Sequence, residues 1–372
     1  MELASRVFDV VTREDAITDK IRGVLPQITR NEALIYWRRV LRMAALCHDL
    51  GHLPFSHAAE KELLPNGWDH EILTKEIILS DEMKQIWDSM DPPLRPNDIV
   101  KLAIGPRKAK DFTFSNWEAI LSEIIVGDAF GVDRMDYLLR DSYHAGVAYG
   151  KFDHFRLIDT LRILPSPSTG EPALGVEEGG IYSAEALLFA RYSMYSQVYL
   201  HRIRRIYDIH LRDFLRAWLP GGKFSTNITD HLRMTDNEVT VALFEAASDP
   251  TKPGHEEAKR IIYRCHFRVL YQRHPEDLEV NIEAGRAVFE AAQQKFDNVR
   301  HDSYTQKGSE IDFPVQTRDG RIVPSIFISD PLKSLPVSAI DYVFIVPEKL
   351  DEAKSWLDEN RAEIIQPKAE ET

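Results

Sequence analysis

The chain has 372 residues, 44% of them hydrophobic and 28% charged, with a formal net charge of −13. That length allows two domains, or one large domain with an appendage, at a composition ordinary for a globular protein. The acidic balance argues against a surface that coats nucleic acid, and no run of eighteen apolar residues or charged-then-apolar start suggests a membrane span or secretion signal.

Cys47 and Cys265 stand far apart with no CxxC pair, so a disulfide framework is not expected and a reducing cytoplasm is. In chain order, residues 32–47 read as an amphipathic helix, with Leu34, Trp37, Leu41, Ala44 and Ala45 on one stripe. Gly51 and Pro54 end it, which places His48, Asp49, His52 and His57 in the turn that follows. Imidazole and carboxylate are good ligands for Zn, Mn or Fe, and an adjacent His-Asp pair can place both on one ion. A lone His-Asp dipeptide is more often an ordinary helix end. The additional His52 and His57 in an apolar setting favour chemistry.

Asp69 is placed to cap a helix through Ile77-Ile78-Leu79, and Trp117–Val126 is a further amphipathic stretch. Gly131–Tyr143 reads as a helix with Asp133, Tyr137, Arg140 and Asp141 on one face. Turn-rich 165–170 and 178–180 bracket a short strand at Ala173–Val176. Helical pattern then runs from Ser183 to about Trp218. Arg191, Arg202, Arg204, Arg205, Arg212 and Arg216 concentrate cations there among Tyr192, Tyr195 and Tyr199, either as a solvated face or as part of an anion pocket. Pro220-Gly221-Gly222 is the strongest boundary. Beyond it come helix-like Asn237–Ala247 and Glu256–Leu270, β-like Ile322–Ile328 and Tyr342–Val346, and a final helix Glu348–Ile365. The expected architecture is mainly α: an all-α catalytic core over residues 1–219, and a smaller α+β region over 220–372.

The decamer His48-Asp49-Leu50-Gly51-His52-Leu53-Pro54-Phe55-Ser56-His57 resembles the central signature of the HD-domain phosphohydrolases. Trp68-Asp69-His70-Glu71, Gly131–Tyr137 with Arg140-Asp141, Met234–Asn237 and Tyr263-Arg264 resemble further blocks of the deoxynucleoside-triphosphate triphosphohydrolase subgroup, which includes the sterile-alpha-motif-and-HD-domain enzyme. The resemblance implies an HD-domain hydrolase that binds a divalent transition metal (Mn, Fe or Zn, with Mg accompanying the substrate) through His48, Asp49 and Asp133. It implies catalytic roles for His52, His57, Glu60 and His70, with Glu60 where the family usually has Asp. Arg134 replaces a phosphate-contacting Lys, a change that keeps charge and alters geometry. Tyr137 and Asp141 match sugar-facing positions. Arg191, Tyr199 and His201 match phosphate- and sugar-side positions, and Arg156 and Arg264 match a regulatory nucleotide site.

The family's metal set is His, His-Asp, Asp, yet no histidine precedes position 48. The resemblance places the first ligand just upstream of a helix like Glu2–Val11. The expectation is therefore a start set too late, or else a remodelled site. The first is favoured, because Met1-Glu2-Leu3-Ala4 reads as helix interior without a cap. The implied activity is release of nucleoside and inorganic triphosphate from (deoxy)nucleoside triphosphates by a cytoplasmic homo-oligomer, dimer or tetramer. Nucleic acid is a partner the charge does not indicate, and no membrane partner is expected. Two alternatives stay open: an HD-type nucleotidase or phosphodiesterase acting on another phosphoester, and a catalytically impaired nucleotide- or nucleic-acid-binding protein.

Overall fold

The computed structural model describes residues 1–58, 60–305 and 311–367, leaving the side chains of His57 and Lys61 aside. The chain is mostly helical, as its periodicities predict, and divides into two compact units that are not consecutive in sequence. Met1–His52, Gly67–Met194 and Gly308–Pro336 form the first; Leu53–Asn66, Tyr195–Lys307 and Val337–Thr372 form the second. Among the described residues no helix is long and apolar enough to cross a membrane.

In the first unit, helices Glu2–Val11, Asn31–Cys47, Pro96–Lys108 and Asn116–Val126 pack together. Their inward stripes bury Val7, Leu41, Ala44, Leu102, Ile120 and Ile124 completely or almost so. Removing such side chains from water supplies the main stabilisation, at about 25 cal/mol per Å² of apolar surface. Ser115 and Glu118 form a reciprocal capping box at the start of Asn116–Val126, and Asp69 caps His70–Ile78 by accepting from the Ile72 amide at 2.9 Å.

Among the described residues seven strands accompany the helices: β1 Leu161–Pro165, β2 Pro172–Glu177, β3 Arg268–Gln272, β4 Arg300–Thr305, β5 Pro314–Gln316, β6 Ile322–Pro324 and β7 Ala339–Ile345. The first unit holds a sheet of order β1-β2-β5-β6, so the helical unit carries more strand than the single excursion at Ala173–Val176 suggests. In this sheet β2 and β5 pair in parallel, matching Val176 with Val315, and the β1–β2 and β5–β6 pairings are antiparallel.

The second unit has a three-stranded sheet, β3-β7-β4, with β7 antiparallel to both neighbours. Helices Ala284–Lys295 and Leu350–Ile364 cover it through Val288, Ala292, Ala353 and Leu357, which pack on Val343 and Ile345. Ile206, Ile209, Phe267 and Phe344 make a smaller apolar cluster.

Two long helices expected from the pattern are interrupted. Ser183–Trp218 is split into Ile181–Met194, a π-helical turn Tyr195–Tyr199 and Arg202–Trp218, with His201 capping the last by accepting from the Ile203 amide. Glu256–Leu270 ends as a helix at Ile262. Arg264 then takes a left-handed φ of 58°, and Arg268 begins β3. A left-handed residue cannot continue a right-handed helix, and the alternating segment after it suits a strand. Likewise Ile322–Ile328 is a strand only to Pro324, and a tight turn Ser325–Phe327 follows.

Candidate metal centre

Helix Asn31–Cys47 stops at the His48–Gly51 turn, and Asp133 is the second residue of helix Val132–His144. This first-turn position suits a carboxylate, because the helix N-terminus carries partial positive charge. The two segments bring three ligand atoms together within the first unit: one each from His48, Asp49 and Asp133, all within 4.8 Å of one another. Nε2 of His48 lies 3.2 Å from Oδ2 of Asp49 and 3.2 Å from Oδ1 of Asp133.

The other ring nitrogen of His48 fixes the tautomer. Nδ1 is 3.1 Å from the Ala45 carbonyl and donates to it, which turns the Nε2 lone pair toward the carboxylates. Nε2 is buried and, despite the short distances, has no partner in hydrogen-bond geometry among the described residues. Burial pulls the His48 pKa down, but Asp133 and Asp49 outweigh it and leave the value raised. Burial pushes Asp49 the other way, and His52 and His48 more than offset it, holding the carboxyl below its usual range.

The arrangement fits a divalent ion. Around an ion with bonds of about 2.1 Å, neighbouring donors lie roughly 3.0–3.4 Å apart. The observed spacings fall there, and one imidazole with two carboxylates suits Mn, Fe or Zn.

A second group adjoins it. His52 Nε2 is 3.4 Å from Oδ1 of Asp49, and the His52 and His70 rings stack at 4.2 Å with 12° between planes. Asp49, His52 and His70 also present ligand atoms within 4.8 Å, so Asp49 is common to both groups. His70 opens helix His70–Ile78, where its Nδ1 lies 3.4 Å from Glu71. Lys108 reaches Asp69 and Glu71, each at 2.9 Å. Lys108 lies 37 or more positions from this block along the chain and matches no motif, so no sequence signal marks it.

Gly51 sits where the turn meets this helix. A Cβ there would come 2.1 Å from the His70 carbonyl oxygen and 2.4 Å from the Thr74 nitrogen. Gly51→Ala is expected to lower stability by about 3 kcal/mol, the upper end for overpacking, as read by denaturant unfolding.

Arg134 donates to the carbonyls of Val126 and Gly127 and to Asp128, whose carbonyl also accepts from Arg191 at 3.4 Å. Arg107 pairs with the Asp128 carboxylate as well. Arg134 and Arg191 thus share one anchor, Asp128, which no motif singled out. Tyr137 and Asp141 follow Asp133 at four-residue steps, on its face of the helix. Arg140 instead pairs with Asp136 at 2.8 Å on the exposed side. Arg156 is exposed and donates to the Gly179 carbonyl.

The remaining sequence candidates belong to the second unit. His57 falls in the short turn Ser56–Ala58, and its side chain is outside the described part; Glu60 is buried. Tyr199 closes the π-helical turn, and Arg264 is exposed after Ile262. Most of the arginine-rich face there is committed to carboxylates: Arg205 to Asp302, Arg204 to Asp208, Arg212 and Arg216 to Glu62.

A family profile described as "HD associated region" matches residues 152–302. The chain is 36% identical over 210 residues to the uncharacterised protein YwfO of Bacillus subtilis, covering 56% of this chain and 42% of that one. It is 29% identical over 273 residues to the human deoxynucleoside triphosphate triphosphohydrolase SAMHD1, covering 63% of this chain and 42% of that protein. The chain therefore spans less than half the length of these curated relatives. Among solved structures, a hypothetical protein from Aquifex aeolicus superposes with a TM-score of 0.71 at 29% identity, over 96% of this chain and 86% of that one. A phosphohydrolase from Bacteroides thetaiotaomicron shares the fold at a TM-score of 0.64 and 22% identity, over 92% and 84%. With HDLGH and the second aspartate on one three-atom cluster, the chain is similar to the HD-domain phosphohydrolases, the deoxynucleoside triphosphate triphosphohydrolases SAMHD1 among its relatives.

Proposed function

We propose that the protein is a metal-dependent phosphohydrolase that cleaves nucleoside triphosphates, deoxynucleotides foremost, to nucleoside and inorganic triphosphate. The observation that carries this reading is the convergence of His48 Nε2 with carboxylate oxygens of Asp49 and Asp133. The choice of substrate is supported by the motif blocks and by the named activity of the SAMHD1 relatives.

His48, Asp49 and Asp133 would hold the ion, and Lewis-acid polarisation of a phosphoryl oxygen is the chemistry such an ion supplies when bound. Ala45 keeps His48 in the ligating tautomer. Asp49 also orients His52, whose ring supports His70 by stacking. The two imidazoles are the groups suited to hold or deliver a proton near neutral pH, and we assign His70 the larger part in delivering one to the departing 5′ oxygen. Arg134 and Arg191, gathered on Asp128, are the phosphate-facing cations in this reading, with Tyr137 and Asp141 toward the sugar. The parts of His57, Glu60, Tyr199 and His201, and a regulatory site at Arg156 and Arg264, rest on motif resemblance, as do homo-oligomerisation and a cytoplasmic setting.

The test is product identity. The purified protein with manganese and a panel of deoxynucleoside triphosphates is expected to yield nucleoside and inorganic triphosphate in equal amounts, separated by ion-exchange chromatography. Nucleoside monophosphate with pyrophosphate would overturn the cleavage site. Turnover of monophosphates or cyclic phosphodiesters alone would establish the nucleotidase or phosphodiesterase reading.

A further inference from the structure

The turn that carries His48 and Asp49 is closed by a side chain from another helix. Thr74, fully buried on helix His70–Ile78, donates its hydroxyl to the His48 carbonyl at 3.1 Å and accepts from the Gly51 amide at 2.9 Å. These are the first carbonyl and fourth amide of a four-residue turn, the pair that a β-turn joins directly. Here a single hydroxyl stands between them and relays the bond. The flanking bonds, Leu50 amide to Cys47 carbonyl and His52 amide to Asp49 carbonyl, leave the middle of the turn to Thr74.

We infer that Thr74 is a positioning residue for the metal centre: its hydroxyl sets the His48-Asp49 backbone and ties it to the helix that presents His70. This rests on the metal reading proposed above. Three observations meet at this residue. The hydroxyl takes both hydrogen bonds of one turn, so its loss leaves a part-buried carbonyl and a buried amide without this partner together. The contact of Gly51 with the helix backbone leaves no room for a Cβ, so turn and helix meet at backbone distance. One turn before Thr74 on the same helix, His70 stacks on His52, and His52 lies 3.4 Å from Asp49. Movement of the turn relative to this helix would disturb both groups that share Asp49.

Both hydrogen bonds of Thr74 are to backbone groups, so its effect passes through backbone geometry. Thr74→Val keeps the shape and removes the hydroxyl, whereas Thr74→Ser keeps the hydroxyl and loses a methyl. The full chain and both variants would be titrated with manganese(II) for affinity, and loaded with cobalt(II) for its visible absorption. T74V is expected to bind manganese roughly ten- to a hundredfold more weakly, the range for groups that orient metal ligands, with an altered cobalt spectrum. T74S is expected to match the unaltered protein in both. Should T74V fold poorly by circular dichroism, T74A against T74S makes the same comparison. Equal affinity and spectra in the unaltered protein and T74V, or equal losses in T74V and T74S, would overturn the inference alone. Failure of the unaltered protein to take up either ion would overturn the metal reading, and this inference with it.

Discussion

Asp133→Asn is expected to reduce the manganese retained after dialysis from about one ion per chain to nearly none, and to lower phosphohydrolase turnover at least about a hundredfold. The substitution keeps the size of the side chain and its place in the first turn of helix Val132–His144. It removes the charge 3.2 Å from His48 Nε2. Among the described residues three donors converge in this cluster, so an amide oxygen in place of a carboxylate weakens a set with little to spare. His48→Ala should act in parallel, and elemental analysis with circular dichroism would check both. Retention of metal by both variants would mean that the ion lies elsewhere in the molecule.

A different signature is expected at His70. His70→Ala should lower turnover roughly a hundredfold or more while leaving metal content and thermal unfolding close to normal, because the role proposed for the ring is proton transfer and it is not among the three ligand atoms of the His48 cluster. His52→Ala should also reduce turnover. Since the two rings stack at 4.2 Å beside one carboxylate, the double variant should lose less than the two single losses combined. Full rates in H70A on every triphosphate tested would remove it from the mechanism. Loss of metal in H70A would instead make it a ligand of the Asp49-centred group.

The residues of the candidate metal cluster were legible because they are local or lie on a periodic element. His48 and Asp49 are adjacent, and Asp133 opens a helix whose stripe is plain in the sequence. Helix boundaries with local signals were legible too, at the Asp69 cap and after Cys47, where Gly51 and Pro54 follow. Thr74 and Asp128 were not. Their importance lies in backbone groups many residues away, and a Thr inside an apolar helix or an Asp before a Gly-rich turn has no pattern of its own. The arginine-rich stretch misled in another way. Its cations look like an anion pocket until Glu62, Asp208 and Asp302, from three separate regions of the chain, are found beside them. The break after Ile262 was hidden because Cys265–Leu270 continues the apolar content of the preceding helix, and one left-handed residue decides the change.

The strand order also sets a timetable for synthesis. β7 is the middle strand of its sheet and comes from residues 339–345, while β5 and β6 complete the other sheet from residues 314–324. At translation rates of about 5–20 residues per second, an N-terminal domain usually finishes folding before the rest of its chain emerges. Neither unit here can do so, because each waits for a strand encoded in the last sixth of the sequence. Until then β3 and β4 lack the partner that lies between them, and their facing edges stay unpaired in the nascent chain.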